Sequence, residues 1–310
     1  MSIAPIHNFA QLIATAQELG PRTAAIAGAA DRETLLAAAA AVARRIADCL
    51  LVGEARAIER VAAAADVDLR PMTVVDVTDP DRVALEAMIL AGRGQAYMVV
   101  KGHVKTDDFL RAALSREANL RRRLLTHVGP YQIPGVDRLV FISDGGVVLY
   151  PTAPQKAEII QNAIRVAQLL GIETPKVALV AASERVNPAV PSTMEATALV
   201  AMARQGQIVG GLVDGPFPLD AAMSAEVAAL LGIDSPVAGH ADVLIAHDVE
   251  AGNIMGKGIT YFAGGRMAGI VVGAKVPLVV GSRADDHETR LACLALGVVL
   301  AARGYKELWG

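Results

Sequence analysis

Short apolar runs alternate along the chain with longer stretches whose apolar positions recur at helical spacing. Residues 23–27, 49–52, 73–77 and 96–100 read as strands. Helices are predicted from a cap at Asp31 to about residue 45, over 54–65, over 81–92, and from Thr106 to about residue 116. This repeated strand–helix unit predicts a parallel sheet covered on both faces. The rhythm breaks at 136–142 and 147–150, two strand-like runs separated by the turn-forming cluster Ser143-Asp144-Gly145-Gly146, with Pro151 and Pro154 behind them. A domain crossing is expected here.

The alternation then resumes with a helix over 154–170 and a strand over 176–181. A helix over 192–203 opens with Ser192-x-x-Glu195, the spacing of a capping box. Further strands are predicted at 207–213, 242–246, 269–272 and 277–280, and further helices at about 220–231, 251–262 and 286–302. Arg121-Arg122-Arg123 reads as a solvated charge run at a helix end.

Composition narrows the class. The 310 residues suit two domains. Apolar residues are 53% and aromatics only 4%, so the core must be built from Ala, Val, Leu and Ile, the usual content of helices on a buried parallel sheet. A formal charge of −3 carries no footprint for nucleic acid or anionic membrane. Cys49 and Cys293 sit in apolar stretches and read as reduced core residues. His103, His127, His240 and His247 share no short metal-ligand spacing, and His7 and His287 do not change that, so no metal is expected. The first twenty residues lack the pattern of a secretory signal. The longest apolar stretch, 267–280, is interrupted by Lys275 and Pro277 and falls short of the roughly 18 residues that span a bilayer. A soluble, cytoplasmic protein is expected.

Ligands of open α/β sheets bind beyond the carboxyl ends of the strands. Those positions hold Lys101-Gly102-His103, Ser183-Glu184, Asp214-Gly215, His247-Asp248 and Gly281-Ser282-Arg283. No GxGxxG follows the first strand, where the chain reads Ile26-Ala27-Gly28-Ala29-Ala30-Asp31, and no GxxxxGK[ST] loop is present. Common nicotinamide and nucleoside-triphosphate chemistry is therefore disfavoured.

Val213-Asp214-Gly215-Pro216, with Asp220 six residues past Asp214, resembles the DGPxxxD segment of phosphate butyryltransferases. Ala241-Asp242-Val243-Leu244-Ile245, then Asp248 to Asn253, then Lys257, is similar to the ADVLxxxDxxxGNxxxK segment. Tyr261 to Gly264, Ala268 to Ala274, Val276-Pro277 and Ser282-Arg283-Ala284-Asp285 continue in the same order. Lys101-Gly102-His103, Thr106, Asp108 and Leu110-Arg111 match the glycine-turn and LR pattern of the first half. Over about residues 95–303 the chain thus resembles the phosphate acetyl/butyryltransferase family; before that it shares only the rhythm.

The resemblance implies two doubly wound α/β domains with a cleft between them, like the isocitrate and isopropylmalate dehydrogenases. Residues 1–148 plus 286–310 would form one domain, to which the C-terminal helix returns, and 149–285 the other. It also implies a homodimer or higher homo-oligomer, with acyl-CoA and phosphate as substrates and no tightly bound cofactor. The implied reaction is acyl-CoA plus phosphate giving acyl phosphate plus coenzyme A, in either direction. A phosphate dianion must then be neutralised, which backbone amides, a helix N-terminus or Arg can do. A thiol of pKa about 8–9 must attack or leave as thiolate, helped by a carboxylate or His.

On this resemblance Arg283 binds phosphate or acyl phosphate, Ser282 donates to the reacting carbonyl or orients the thiol, and Arg111 is a second anion contact. Glu288, then Asp286, is the candidate base; Thr289 stands where acetyl-type members carry Asp. The acetyl-type RKxKG segment is also missing, and both departures point to the butyryl branch, leaving chain length open. Asn253 and Lys257, four apart on one helix face, are candidates for the coenzyme A or phosphate site, with His103, Asp214 and Asp248. Helix capping is the rival reading for both aspartates. The alternatives are an NAD(P)-dependent β-decarboxylating dehydrogenase, for which the clustered metal-binding aspartates are missing, and a non-catalytic coenzyme A or acyl-phosphate binding protein.

Overall fold

The computed structural model describes residues 3–282 and 284–310. In chain order its elements are α1 (Phe9–Leu19), β1 (Arg22–Ala27), α2 (Arg32–Ala43), β2 (Ala47–Gly53), α3 (Ala55–Ala64), β3 (Thr73–Asp76), α4 (Val83–Gly92), β4 (Met98–Lys101), α5 (Thr106–Leu114), β5 (Arg121–Gln132) and β6 (Leu139–Ser143). There follow α6 (Ala153–Leu169), β7 (Lys176–Val180), α7 (Pro191–Arg204), β8 (Leu212–Phe217), α8 (Leu219–Met223), α9 (Ala225–Leu230), β9 (Val243–Ile245), α10 (Val249–Phe262), β10 (Arg266–Met267), β11 (Ile270–Ala274), β12 (Leu278–Val279), α11 (His287–Ala302) and α12 (Tyr305–Trp309). They form a mixed α/β fold in two compact units. One comprises Asn8–Arg123 with Ala268–Gly310; the other comprises Leu124–Met267 with the stretch ending at His7.

The first unit carries strands in the order β3-β2-β1-β4-β12-β11. All pair in parallel except β11, which runs antiparallel to β12. Ala24–Ala27 of β1 and all of β4 are buried, as strands covered on both faces must be. Asp31 caps α2 by accepting the Thr34 amide at 2.9 Å. Helix α11 is apolar almost all round and is buried from Leu291 to Leu300, so it forms the centre of this unit rather than its surface. Gly297 lets it lie tightly on the sheet: a Cβ there would come within 2.4 Å of Met98 Sδ and 2.8 Å of Val279 Cγ2. Behind it the rings of Tyr305 and Trp309 stack at 4.4 Å, and the Tyr305 hydroxyl donates to Ala274 O at 3.1 Å.

The second unit has the strand order β5-β6-β9-β7-β8, with β10 against β5. Strands β5 and β6 are antiparallel, and the rest of the path is parallel. Val140, Ile142, Ala178, Phe217 and Leu244 form its core with Tyr131.

Several expectations are corrected. Residues 147–150 form no strand, because the Asp144 carboxylate gathers the amides of Gly146, Val147 and Val148 and folds the chain around itself. Arg121–123 open strand β5 rather than closing a helix. Ser192 does not cap α7: the helix starts one residue earlier with Pro191, and Glu195 makes contacts elsewhere. The strand expected at 207–213 is displaced to β8, so Asp214 lies within a strand and not beyond its end. The helix expected at about 220–231 breaks at Ser224, which caps α9. Helices α1 and α12 were not anticipated. The two compact units divide after Arg123 and Met267. Strand β6 pairs with β9 in the second sheet, and β12 pairs with β4 in the first.

Candidate active site

In the first unit three parallel strands end together. The turns after β1 and β4 touch: Gly102 N donates to Ala27 O at 2.9 Å and His103 N to Gly28 O at 2.7 Å. A Cβ on Gly102 would meet Gly28 O at 2.4 Å, and Gly28 itself has φ of +77°, so both positions require glycine. Beside them β12 runs into Gly281 and Ser282. The Ser282 amide donates to Asp285 Oδ2 at 2.6 Å, which folds the loop back on itself. Asp286 then caps α11 through the Thr289 amide at 2.8 Å.

One turn into α11, Arg290 reaches across to α2. Its Nη1 donates to Thr34 Oγ1 at 2.6 Å and pairs with Asp31 Oδ2 at 3.0 Å, while its Nε donates to Asp285 O at 3.1 Å. Burial would raise the Asp31 carboxyl, but the Thr34 hydrogen bonds and the nearby Arg290 and His103 hold it below its ordinary value. Between these elements lies a narrow open hollow. Its polar side is Thr34, Lys101, Ser282 and Arg290; the remaining wall is largely apolar. Lys101 is buried, with Nζ at 3.4 Å from the carbonyls of Gly102 and Val104.

The predicted site residues of this unit separate. Ser282 lines the hollow. Asp286 is engaged as a cap, Glu288 is exposed in the first turn of α11, and His103 is exposed beyond β4. Arg111 is exposed on α5 and pairs with Asp108 at 2.8 Å; it is not among the residues lining the hollow. Arg283 lies outside the described residues. Thr289, at the position of the acetyl-type aspartate, is buried.

In the second unit the loop after β6 is built on Asp144, whose carboxylate also takes the His127 amide at 2.9 Å. That loop packs on the start of α10, where Asn253 Nδ2 donates to Gly145 O at 3.2 Å. A Cβ on Gly252 would meet Asp144 O at 2.4 Å. Asp248 caps α10 through the Ala251 amide at 2.8 Å. Asp214 accepts the Ser235 hydroxyl at 2.6 Å and its own neighbour's amide, Gly215 N, at 3.0 Å. Lys257 is exposed. A buried ammonium, Lys156, donates to Glu195 and to His247 O, and His247 Nδ1 sits 2.8 Å from the same Glu195 oxygen. Burial pulls the Lys156 amine below its ordinary value, and the pairing with Glu195 opposes that.

Reading the sequence missed Asp285, Arg290 and the Lys156–Glu195 pair as organisers. Arg290 lies a full turn inside a helix, and Lys156 and Glu195 are 39 residues apart, so no local spacing marks them. Asp285 was visible only as the end of the Ser-Arg-Ala-Asp run. Among the described residues no group of three or more His, Cys, Asp or Glu could hold a metal ion. The Cys49 thiol is pushed up to about 12 by burial and is chemically quiet.

Comparison with known proteins adds the following. The family described as phosphate acetyl/butaryl transferase matches residues 79–298. A phosphate butyryltransferase of Clostridium beijerinckii is 39% identical over 96% of this chain and 98% of its own length. A phosphate acetyltransferase of Rhizobium meliloti is 37% identical over 96% of this chain and 94% of its own. The crystal structure of a branched-chain phosphotransacylase from Enterococcus faecalis V583 is similar with a TM-score of 0.79 and 30% identity, covering 90% of this chain and 99% of that one.

Proposed function

This chain belongs to the phosphate acetyl/butaryl transferase family, and from that premise we propose how its residues divide the labour. The protein is a phosphate acyltransferase. It moves a short acyl group between coenzyme A and inorganic phosphate, with acyl-CoA and phosphate as substrates. In the forward direction a phosphate oxygen attacks the thioester carbonyl, the C–S bond breaks, and coenzyme A leaves as thiolate to be protonated. In reverse a base removes the thiol proton, the thiolate attacks the acyl carbonyl of acyl phosphate, the acyl C–O bond breaks, and phosphate leaves.

Ser282, at the end of β12, donates to the carbonyl oxygen as charge develops there, and Arg283 holds the phosphoryl group. This assignment rests on Ser282 standing at the rim of a hollow bounded by the carboxyl ends of three strands, where α/β sheets take their ligands. Arg111 and His103 contribute further contacts to the anion. Glu288 accepts the thiol proton, since Asp286 is occupied as a helix cap. Asp214, Asp248, Asn253 and Lys257 serve the coenzyme A side, the two aspartates by fixing their own loops. Coenzyme A is a substrate, and no tightly bound cofactor is required.

The isocitrate/isopropylmalate dehydrogenase-like reading of the fold is supported by the return of α11 to the unit in which the chain begins its first strand. A homo-oligomer is supported by α10, which exposes Ile254, Tyr261 and Phe262. A cytoplasmic location is supported by Cys49 and Cys293, which are buried and not joined in a disulfide; among the described residues no helix is long and apolar enough to cross a membrane.

The assignment is tested with Ser282→Ala and Arg283→Ala, checked for folding by circular dichroism. Ser282→Ala should lose about 2.7–4 kcal/mol of transition-state stabilisation, roughly 100- to 1,000-fold in kcat. Arg283→Ala should lose most turnover. Wild-type turnover in folded Arg283→Ala would remove Arg283 from the site. Tight binding of coenzyme A by a wild-type protein without turnover would favour the non-catalytic binding reading.

A further inference from the structure

The turn that starts α10 is held by a charged group that the proposed reaction does not use. Lys156 lies in the first turn of α6, and its side chain is only 3% exposed. Its ammonium donates to the Glu195 carboxylate of α7 and to the backbone carbonyl of His247, the residue just before the α10 cap Asp248. Glu195 holds His247 a second time, through the ring Nδ1 at 2.8 Å. Around this cluster the walls are apolar: Leu179, Ala196, Leu199 and Ile245, all buried.

Stability alone does not call for a charge here, because a buried ion pair is commonly matched or bettered by apolar side chains of similar size. What such side chains lack is direction. The His247 carbonyl belongs to the peptide that joins His247 to Asp248, and a fixed ammonium restrains the plane of that peptide. The plane in turn sets how the chain enters α10, where the Asp248 carboxylate takes the Ala251 amide at 2.8 Å. On its other side the same turn is held by the loop after β6: Val249 N donates to Leu149 O at 3.0 Å, and Asn253 Nδ2 to Gly145 O at 3.2 Å. Asn253 and Lys257 follow on α10, both exposed.

We propose that Lys156 is a positioning residue for coenzyme A: through His247 it fixes the start of α10, so that Asn253 and Lys257 meet coenzyme A already ordered. Lys156 itself touches no substrate. The inference rests on the reading above that gives Asn253 and Lys257 to the coenzyme A side, and adds what holds them there. An apolar residue at 156 would keep the packing and lose the alignment. Ordering the start of α10 would then be charged against coenzyme A affinity.

The test measures KM for coenzyme A, KM for acyl phosphate and kcat, with acetyl phosphate and butyryl phosphate, in the wild type, Lys156→Met and the double variant Lys156→Met with Glu195→Leu. Folding is checked by circular dichroism. The double variant replaces the whole pair with apolar groups, so it separates positioning from stability. Both variants should raise KM for coenzyme A about tenfold, the weight of one hydrogen bond to a charged group, with KM for acyl phosphate at its wild-type value. A folded double variant with wild-type KM for coenzyme A overturns the proposal, because the pair then serves stability only. Equal rises in both KM values overturn it as well, since Ser282 lies in the other unit. If Lys156→Met fails to fold, the double variant decides. If both fail, Glu195→Gln takes their place: a smaller rise in the same direction is expected, and a wild-type KM overturns the proposal. Wild-type KM for coenzyme A in both Asn253→Ala and Lys257→Ala overturns the assignment of α10 and this inference with it, while leaving the acyltransferase reading intact. A wild type that consumes no thiol with either acyl phosphate overturns that reading, and this one with it.

Discussion

His127 shows how a single side chain can set a property of the whole protein. It lies in β5, half-buried with its Nδ1 shut off from solvent, and desolvation holds its imidazole below the ordinary value while the neighbouring Asp144 pulls the other way. Its Nδ1 has no hydrogen-bond partner among the described residues. The folded state therefore keeps the ring neutral, whereas in the unfolded chain it takes up a proton near pH ~6.5. Below that pH the unfolded state binds the extra proton, so stability falls as the pH falls. We predict a melting temperature that declines between about pH 6.5 and 5, with a shallower decline in His127→Gln, followed by calorimetry. An unchanged slope in the variant would remove His127 as the cause. At this scale the sequence marked His127 only as lacking metal-ligand spacing; enclosure by β5 and the Asp144 loop is a tertiary fact. Asp31 and Asp248 were legible as helix caps because capping depends on residues three apart. Arg290 was not, because its partners come from another helix.

Among the elements, α11 carries the most constraint. Its only gap in side-chain cover is Gly297, where the helix meets Met98 and Val279. Gly297→Ala should gain about 1 kcal/mol of helix propensity but lose more to overpacking, which typically costs about 1–3 kcal/mol. The expected net effect is a destabilisation of up to about 2 kcal/mol, read from urea denaturation. A variant as stable as the wild type would mean that Met98 moves aside freely. Most helices and strands of the first unit were legible because their apolar spacing is regular. Strand β5 was hidden by three arginines at its start, and β8 by the Gly210-Gly211 pair before it. The run at 147–150 was misread because Asp144 supplies from its side chain the acceptors that a strand partner would have given.

At the scale of the whole molecule, the family was legible in the ordered motifs from residue 95 onward, and the strand order was not. Strands β11 and β12 follow the second unit in sequence yet pair in the first sheet, and apolar periodicity says nothing of which strands are neighbours. The candidate site shows the same division. Ser282 was found by motif, whereas the hollow beneath it needed β1, β4, β12, α2 and α11 together. The central claim is that phosphate accepts the acyl group. The most direct measurement follows coenzyme A thiol and acyl phosphate together during reaction of butyryl-CoA or acetyl-CoA, with and without inorganic phosphate. The account predicts thiol release only when phosphate is present, matched one for one by acyl phosphate. Thiol release at an equal rate without phosphate would make the protein a thioesterase and contradict it.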